Sequence, residues 1–149
     1  RLQTNFNYNI DFTGKYYVPT VAYRGTSFNK HYFAQVGDMN KEEVECARIL
    51  DTLPEVKYWV RNIEKHAYSF YLPMANSNFY PDFIALLNDE RIFVIEYKGE
   101  HLVTNDDSKN KDMIVQLLEK SSNGKCLFLM ATSKKQAGKS ISAQIREKL

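Results

Sequence analysis

The sequence predicts an α/β domain built around a central apolar hairpin. Three observations point there: a capped amphipathic helix at 40–51; two almost continuously apolar runs, FYPDFIALL (79–87) and RIFVIEYKG (91–99); and a helix, strand, helix succession after residue 111. The 149 residues are 44% hydrophobic, 26% charged and 13% aromatic. That mixture excludes a disordered or fibrous chain, and the length suits one domain burying roughly two-thirds of its unfolded surface.

Residues 1–39 scatter Gly14, Pro19, Gly25 and Gly37 among Phe and Tyr with no sustained helical period, and are expected to form an extension of short strands and loops packed on a core at 40–149. In NKEEVECARILD (40–51), Asn40 is a natural N-cap, Glu42 and Glu43 suit the first turn, and Val44, Ala47 and Leu50 form the apolar stripe. Strands are expected at 56–61 (VKYWVR) and 68–72 (YSFYL), then in the two apolar runs, which read as a hairpin closed at Asn88, Asp89 and Glu90. Nearly continuous apolar content places this hairpin mid-sheet with both faces covered. HLVTNDDSKN (101–110) reads as a polar loop. Met113, Ile114, Leu117 and Leu118 then mark a helix over 111–121, ended by Gly124. KCLFLMAT (125–132) is a strand, and 141–149 closes the chain as an amphipathic helix.

Twenty Lys and Arg against eighteen Asp and Glu leave a net charge of +2, so attraction for a polyanion has to be local. Cys46 and Cys126, eighty residues apart in apolar surroundings, read as buried thiols of a cytoplasmic protein and compose neither a disulfide framework nor a zinc site. No apolar run reaches the roughly 20 residues needed to span a bilayer. The chain begins at Arg1 rather than Met, the expectation for a piece of a longer protein.

Asp82 and Glu96 sit inside the most apolar hairpin of the chain, with Lys98 two residues further on. Isolated buried charges cost several kcal/mol each, so a compensating partner is expected, and a divalent cation suits two acids. Glu96 and Lys98 share a strand face by alternation. Asp82 joins them only through an odd turn or a bulge near Pro81. A three-residue turn at 88–90 pairs Leu87 with Arg91 and sets Asp82 opposite Glu96, whereas a two-residue turn sets it opposite Tyr97, on the wrong face. Mg²⁺ held by Asp82, Glu96 and a strand carbonyl such as that of Tyr97 would keep positions for water and a phosphate oxygen, with Lys98 orienting either. The plainer alternative for the three side chains is an ion pair on a solvated face.

Pro81-Asp82, thirteen intervening residues and Glu96-Tyr97-Lys98 resemble the PD-(D/E)XK nuclease signature. With WVRN (59–62), SFYLP (69–73), FYPDFIALL (79–87) and VIEYKGEHL (94–102) in register, the stretch 32–132 resembles the C-terminal endonuclease domain of type III restriction enzyme Res subunits and related helicase-linked proteins. The resemblance implies a mixed central β-sheet flanked by helices, with a restriction-endonuclease-like αβββαβ core. It further implies Asp82 and Glu96 as metal ligands, Lys98 as catalytic, and Mg²⁺ (or Mn²⁺ in its place) as cofactor. DNA is the implied substrate, and the implied partners are an upstream ATP-dependent helicase module and a methyltransferase or specificity subunit.

Members of this family often add an acid from the first helix. Glu43 shares the stripe of Ala47 and Leu50 and is the expected one; Glu42 comes next, and Glu45 points away. Lys109, Lys111 and Gln116 are candidate phosphate contacts, with solvated helix positions as the plainer alternative. His101 reads equally as an active-site hydrogen-bonder or a loop histidine, and His31 and His66 show no metal-ligand spacing. From Lys125 onward six Lys or Arg face one acid, Glu147, which makes Lys134 and Lys135 candidate DNA contacts. Trp59 reads as core, and Arg61 and Asn62 as backbone-satisfying. Gly138-Lys139-Ser140 lacks the first glycine of a phosphate-binding loop, since Ser133 stands there. The leading expectation is therefore a Mg²⁺-dependent endodeoxyribonuclease; the alternative is a catalytically silent nuclease fold that holds DNA or docks on a helicase.

Overall fold

The computed structural model describes residues 12, 16–66, 69–73, 77–99 and 106–149. The elements run α1 (Lys41–Thr52), β1 (Val56–Arg61), β2 (Leu72–Pro73), β3 (Asn78–Phe79), β4 (Phe83–Leu87), β5 (Ile92–Tyr97), α2 (Asp106–Ser121), β6 (Cys126–Ala131), α3 (Lys134–Ala137) and α4 (Ile141–Lys148). Four strands form a mixed sheet in the order β1-β4-β5-β6, antiparallel except for the parallel β5/β6 pair. β2 and β3 make a separate two-stranded ribbon.

α1 begins as its sequence dictates. The Asn40 side chain accepts the Glu43 N–H at 2.8 Å, and Glu43 returns a carboxylate oxygen to the Asn40 N–H at 2.9 Å, closing a capping box. Cys46, Ala47 and Leu50 then face the sheet, against Trp59, Phe83, Ala85, Phe93 and Ile95, with Ile141 and Ile145 of α4 beside them. The alternate residues Val60, Ile84, Leu86, Ile92, Val94 and Phe128 point to the other side, under Leu118 of α2 and Leu72 and Phe79 of the ribbon. Every residue of β4 is therefore buried, which is why the run lacks alternation.

The hairpin closes through Asn88, Asp89 and Glu90. Leu87 N–H donates to Arg91 O at 2.9 Å, and Glu90 takes a left-handed φ of 73°. The β4–β5 register, Phe83 with Ile95 through Leu86 with Ile92, follows from this odd turn.

Several sequence expectations are corrected. The strand at 68–72 shrinks to Leu72–Pro73, with Tyr68 outside the described residues. The run 79–87 is broken after Phe79, because Pro81 has no N–H to contribute to a ladder. The helix foreseen at 111–121 starts at Asp106, taking half of the expected loop; acids such as Asp106 and Asp107 suit the positive end of the helix dipole. Its expected stripe is also rotated. Leu118 is buried and Val115 partly so, while Met113 and Leu117 are exposed, and the Ile114 side chain lies outside what is described. The short helix α3, for which the sequence gives no expectation, is N-capped by Ser133 and ended by Gly138 at φ 76°.

The extension reaches the core through polar anchors. The buried Asp51 carboxylate accepts the N–H groups of Asn29 and Lys30 and the Trp59 indole N–H. The 30–32 backbone pairs with the free edge of β1 at Trp59. Among the described residues no helix is long and apolar enough to cross a membrane.

Candidate active site

β1, β5 and β6 all end, and β4 begins, at one edge of the sheet. The β4–β5 ladder stops at Phe83–Ile95, and the same register sets Asp82 across from Glu96. Here the two carboxylates replace backbone acceptors. Glu96 Oε1 accepts the Asp82 N–H at 3.1 Å, and Asp82 Oδ2 accepts the Tyr97 N–H at 2.8 Å. Lys98 lies buried one residue further on, its N–H donating to Ala131 O at 2.8 Å and so extending the parallel ladder to β6. Asp82, Glu96, Tyr97 and Lys98 thus come together where the sheet opens.

α1 contributes Glu43, the inward one of the three acids considered; Glu42 and Glu45 are exposed. Glu43 and Asp82 are joined by Arg61, whose Nη2 donates to Glu43 Oε2 at 3.2 Å and whose Nη1 donates to Asp82 Oδ1 at 3.0 Å. Arg61 Nη1 also reaches Asp82 O (3.2 Å), Nε reaches Asp38 O (3.1 Å), and the guanidinium stands 5.4 Å from the centre of the Phe83 ring. Burial pushes the Glu43 carboxyl above its ordinary range, and the charge of Asp82 pushes the same way, against the pull of Arg61.

The extension holds the main chain at Arg61. His31 Nε2 accepts the Arg61 N–H at 3.0 Å while its Nδ1 side faces Phe33 O at 2.8 Å, and the Tyr17 hydroxyl donates to Arg61 O at 2.7 Å. Burial depresses His31 to about 4 and raises Tyr17 to about 12, so both are neutral near pH 7. Asn62 is buried, with its amide bonded to the backbone of Phe70 and Pro81, which fixes the approach to Asp82.

Nothing local in the sequence marks Arg61: it satisfies backbone as expected, at Asp38 O and Asp82 O, and its side chain also joins two acids. The signal that does exist is strand alternation, which puts Arg61 on the face of the buried Trp59, where a charge needs a partner.

No family model, no curated protein and no solved structure matches this chain. Asp82 and Glu96 offer hard oxygen donors of the kind Mg²⁺ takes, so the donor set fits the ion implied by the motif. Among the described residues, however, no three His, Cys, Asp or Glu side chains make a ready metal cage. The guanidinium of Arg61 places a positive charge on Asp82.

The remaining candidates are exposed or lie outside the described residues. Gln116 is exposed on α2. His101 is not among the described residues, nor are the side chains of Lys109 and Lys111. Lys134 and Lys135 are exposed on α3, three and four residues past Ala131, at the same edge of the sheet as Lys98. Elsewhere in the basic segment Lys139 pairs with Glu147 and Lys148 with Glu119 at 2.8 Å. The Gly138-Lys139-Ser140 stretch runs from the cap of α3 to the N-cap of α4, where Ser140 accepts the Ala143 N–H.

Proposed function

We propose that this chain is a metal-dependent endonuclease domain that hydrolyses DNA phosphodiester bonds, similar to the nuclease domain of type III restriction enzymes. One observation carries it: Asp82 and Glu96 face each other across the open end of β4 and β5, with Lys98 buried beside them. The order α1, β1, β4, β5, α2, β6 with a mixed sheet also agrees with a restriction-endonuclease-like core.

Asp82 and Glu96 would hold the Mg²⁺, with the backbone of Tyr97 beside them. When bound, the ion lowers the pKa of a coordinated water and offsets charge on the phosphate. A water oxygen bonds to phosphorus as one ester P–O bond breaks; the ester oxygen leaves, and the water proton passes to solvent or a neighbouring base. Lys98 donates to the attacking water or to a non-bridging phosphate oxygen, where its charge stabilises the developing dianion. Lys134 and Lys135 add attraction for the phosphate backbone at the same edge. A helicase module upstream and a specificity subunit belong to this proposal as partners.

Supercoiled plasmid incubated with the chain and Mg²⁺ should be nicked, and both EDTA and Lys98→Ala should abolish nicking. Equal nicking by the variant removes the proposal. The second reading, a silent DNA-holding module, is favoured by Arg61, which satisfies Asp82 without a metal; it would give DNA retention with no nicking at any metal concentration.

A further inference from the structure

Arg61 is built into the site more firmly than an ordinary surface ion pair. Its guanidinium makes four hydrogen bonds, to Glu43, to Asp82 twice and to the Asp38 carbonyl, and it lies against Phe83. Its backbone N–H and C=O are also held, by His31 and by Tyr17. Its side chain is 15% exposed, and those of Glu43 and Asp82 are 13% and 17% exposed, so water screens the three charges poorly.

Two carboxylates brought together from α1 and β4 repel each other unless a positive charge lies between them. Arg61 supplies that charge permanently, since a guanidinium does not lose its proton in a protein. A divalent ion approaching Asp82 meets this charge on the same carboxylate. Resting on the nuclease proposal, we infer that Arg61 is a resident cation that competes with the divalent metal for the Asp82 carboxylate and so sets how tightly metal binds.

The sign of the effect separates competition from scaffolding. Removing a competing charge tightens metal binding, whereas removing a scaffold loosens Asp82 and weakens it. Mn²⁺ binding is measured directly by electron paramagnetic resonance of the free ion, on the full chain and on Arg61→Gln and Arg61→Lys. One unit charge removed within a few ångströms at partial burial is expected to tighten binding about tenfold or more in Arg61→Gln. Lysine keeps the charge but reaches one acid at a time, so Arg61→Lys should fall between that variant and the parent.

If Arg61→Gln does not fold, Arg61→Lys decides alone: tighter binding than the parent supports the competition, and equal or weaker binding overturns it. Equal or weaker binding in both variants, with clear binding by the parent, overturns it too and leaves the nuclease proposal standing. No Mn²⁺ bound by any of the three chains removes both.

Discussion

His31→Gln changes how stability responds to acid, by an amount that follows from the structure. The ring is neutral in the folded chain, accepting from the Arg61 N–H through Nε2 and donating to Phe33 O through Nδ1, and it packs edge-on against Trp59 at 4.7 Å. Burial lowers its pKa from 6.5 to about 4. Between these values the unfolded chain binds a proton that the folded chain refuses, so stability rises with pH across the window and is lost as the pH falls through it. At about 1.4 kcal/mol per pH unit, the full window costs roughly 3 kcal/mol, of which about 2 kcal/mol is lost between pH 7.5 and pH 5. Urea unfolding followed by Trp59 fluorescence measures this in both chains. The parent should lose about 2 kcal/mol more than His31→Gln over that interval, a midpoint difference on the order of 1 M urea for a chain of this size. The comparison of the two chains cancels the other groups, including Glu43, whose raised pKa acts in the opposite direction. Parallel pH profiles would refute the burial of a neutral His31 and, with it, the hold of the extension on Arg61.

Three further outcomes are expected. Asp51→Ala strips an acceptor from the Asn29 and Lys30 amides and from the Trp59 indole, and should cost about 3 kcal/mol or more in urea unfolding; a cost under about 1 kcal/mol would contradict the buried network. Glu90→Gly relieves a left-handed φ of 73° in the hairpin turn and should stabilise by about 1 kcal/mol, against the usual direction for glycine, with differential scanning calorimetry as the check. Cys46 and Cys126 are buried, and burial pushes both thiols up to about 12, so neither should react with a disulfide reagent at pH 8 until the chain is unfolded in urea; prompt reaction of either thiol would show that its surroundings open.

Local chemistry made several elements legible. Asn40 and Glu43, three residues apart, are enough to start α1, and two uninterrupted apolar runs are enough to place β4 and β5 mid-sheet. Asp82 opposite Glu96 follows from counting three residues in the turn. The start of α2 and its buried face were not legible, because within the expected apolar stripe the neighbouring elements cover Leu118 and leave Met113 and Leu117 exposed. α3 was hidden for a different reason: four residues give too little periodicity to tell a helical turn from a loop.

Composition and alternation suffice to name the charges that need partners: Asp82, Glu96 and Lys98 in an apolar hairpin, and Glu43 on the inner stripe of α1. Folding alone brings Arg61 to two of them, Glu43 and Asp82. Arg61 finds Glu43, Asp82 and Asp38 at separations of 18, 21 and 23 residues, across a helix, a strand and a loop. Hydrogen bonds to such distant partners leave no period and no spacing in the chain, since they depend on how α1 and the extension close over the end of the sheet.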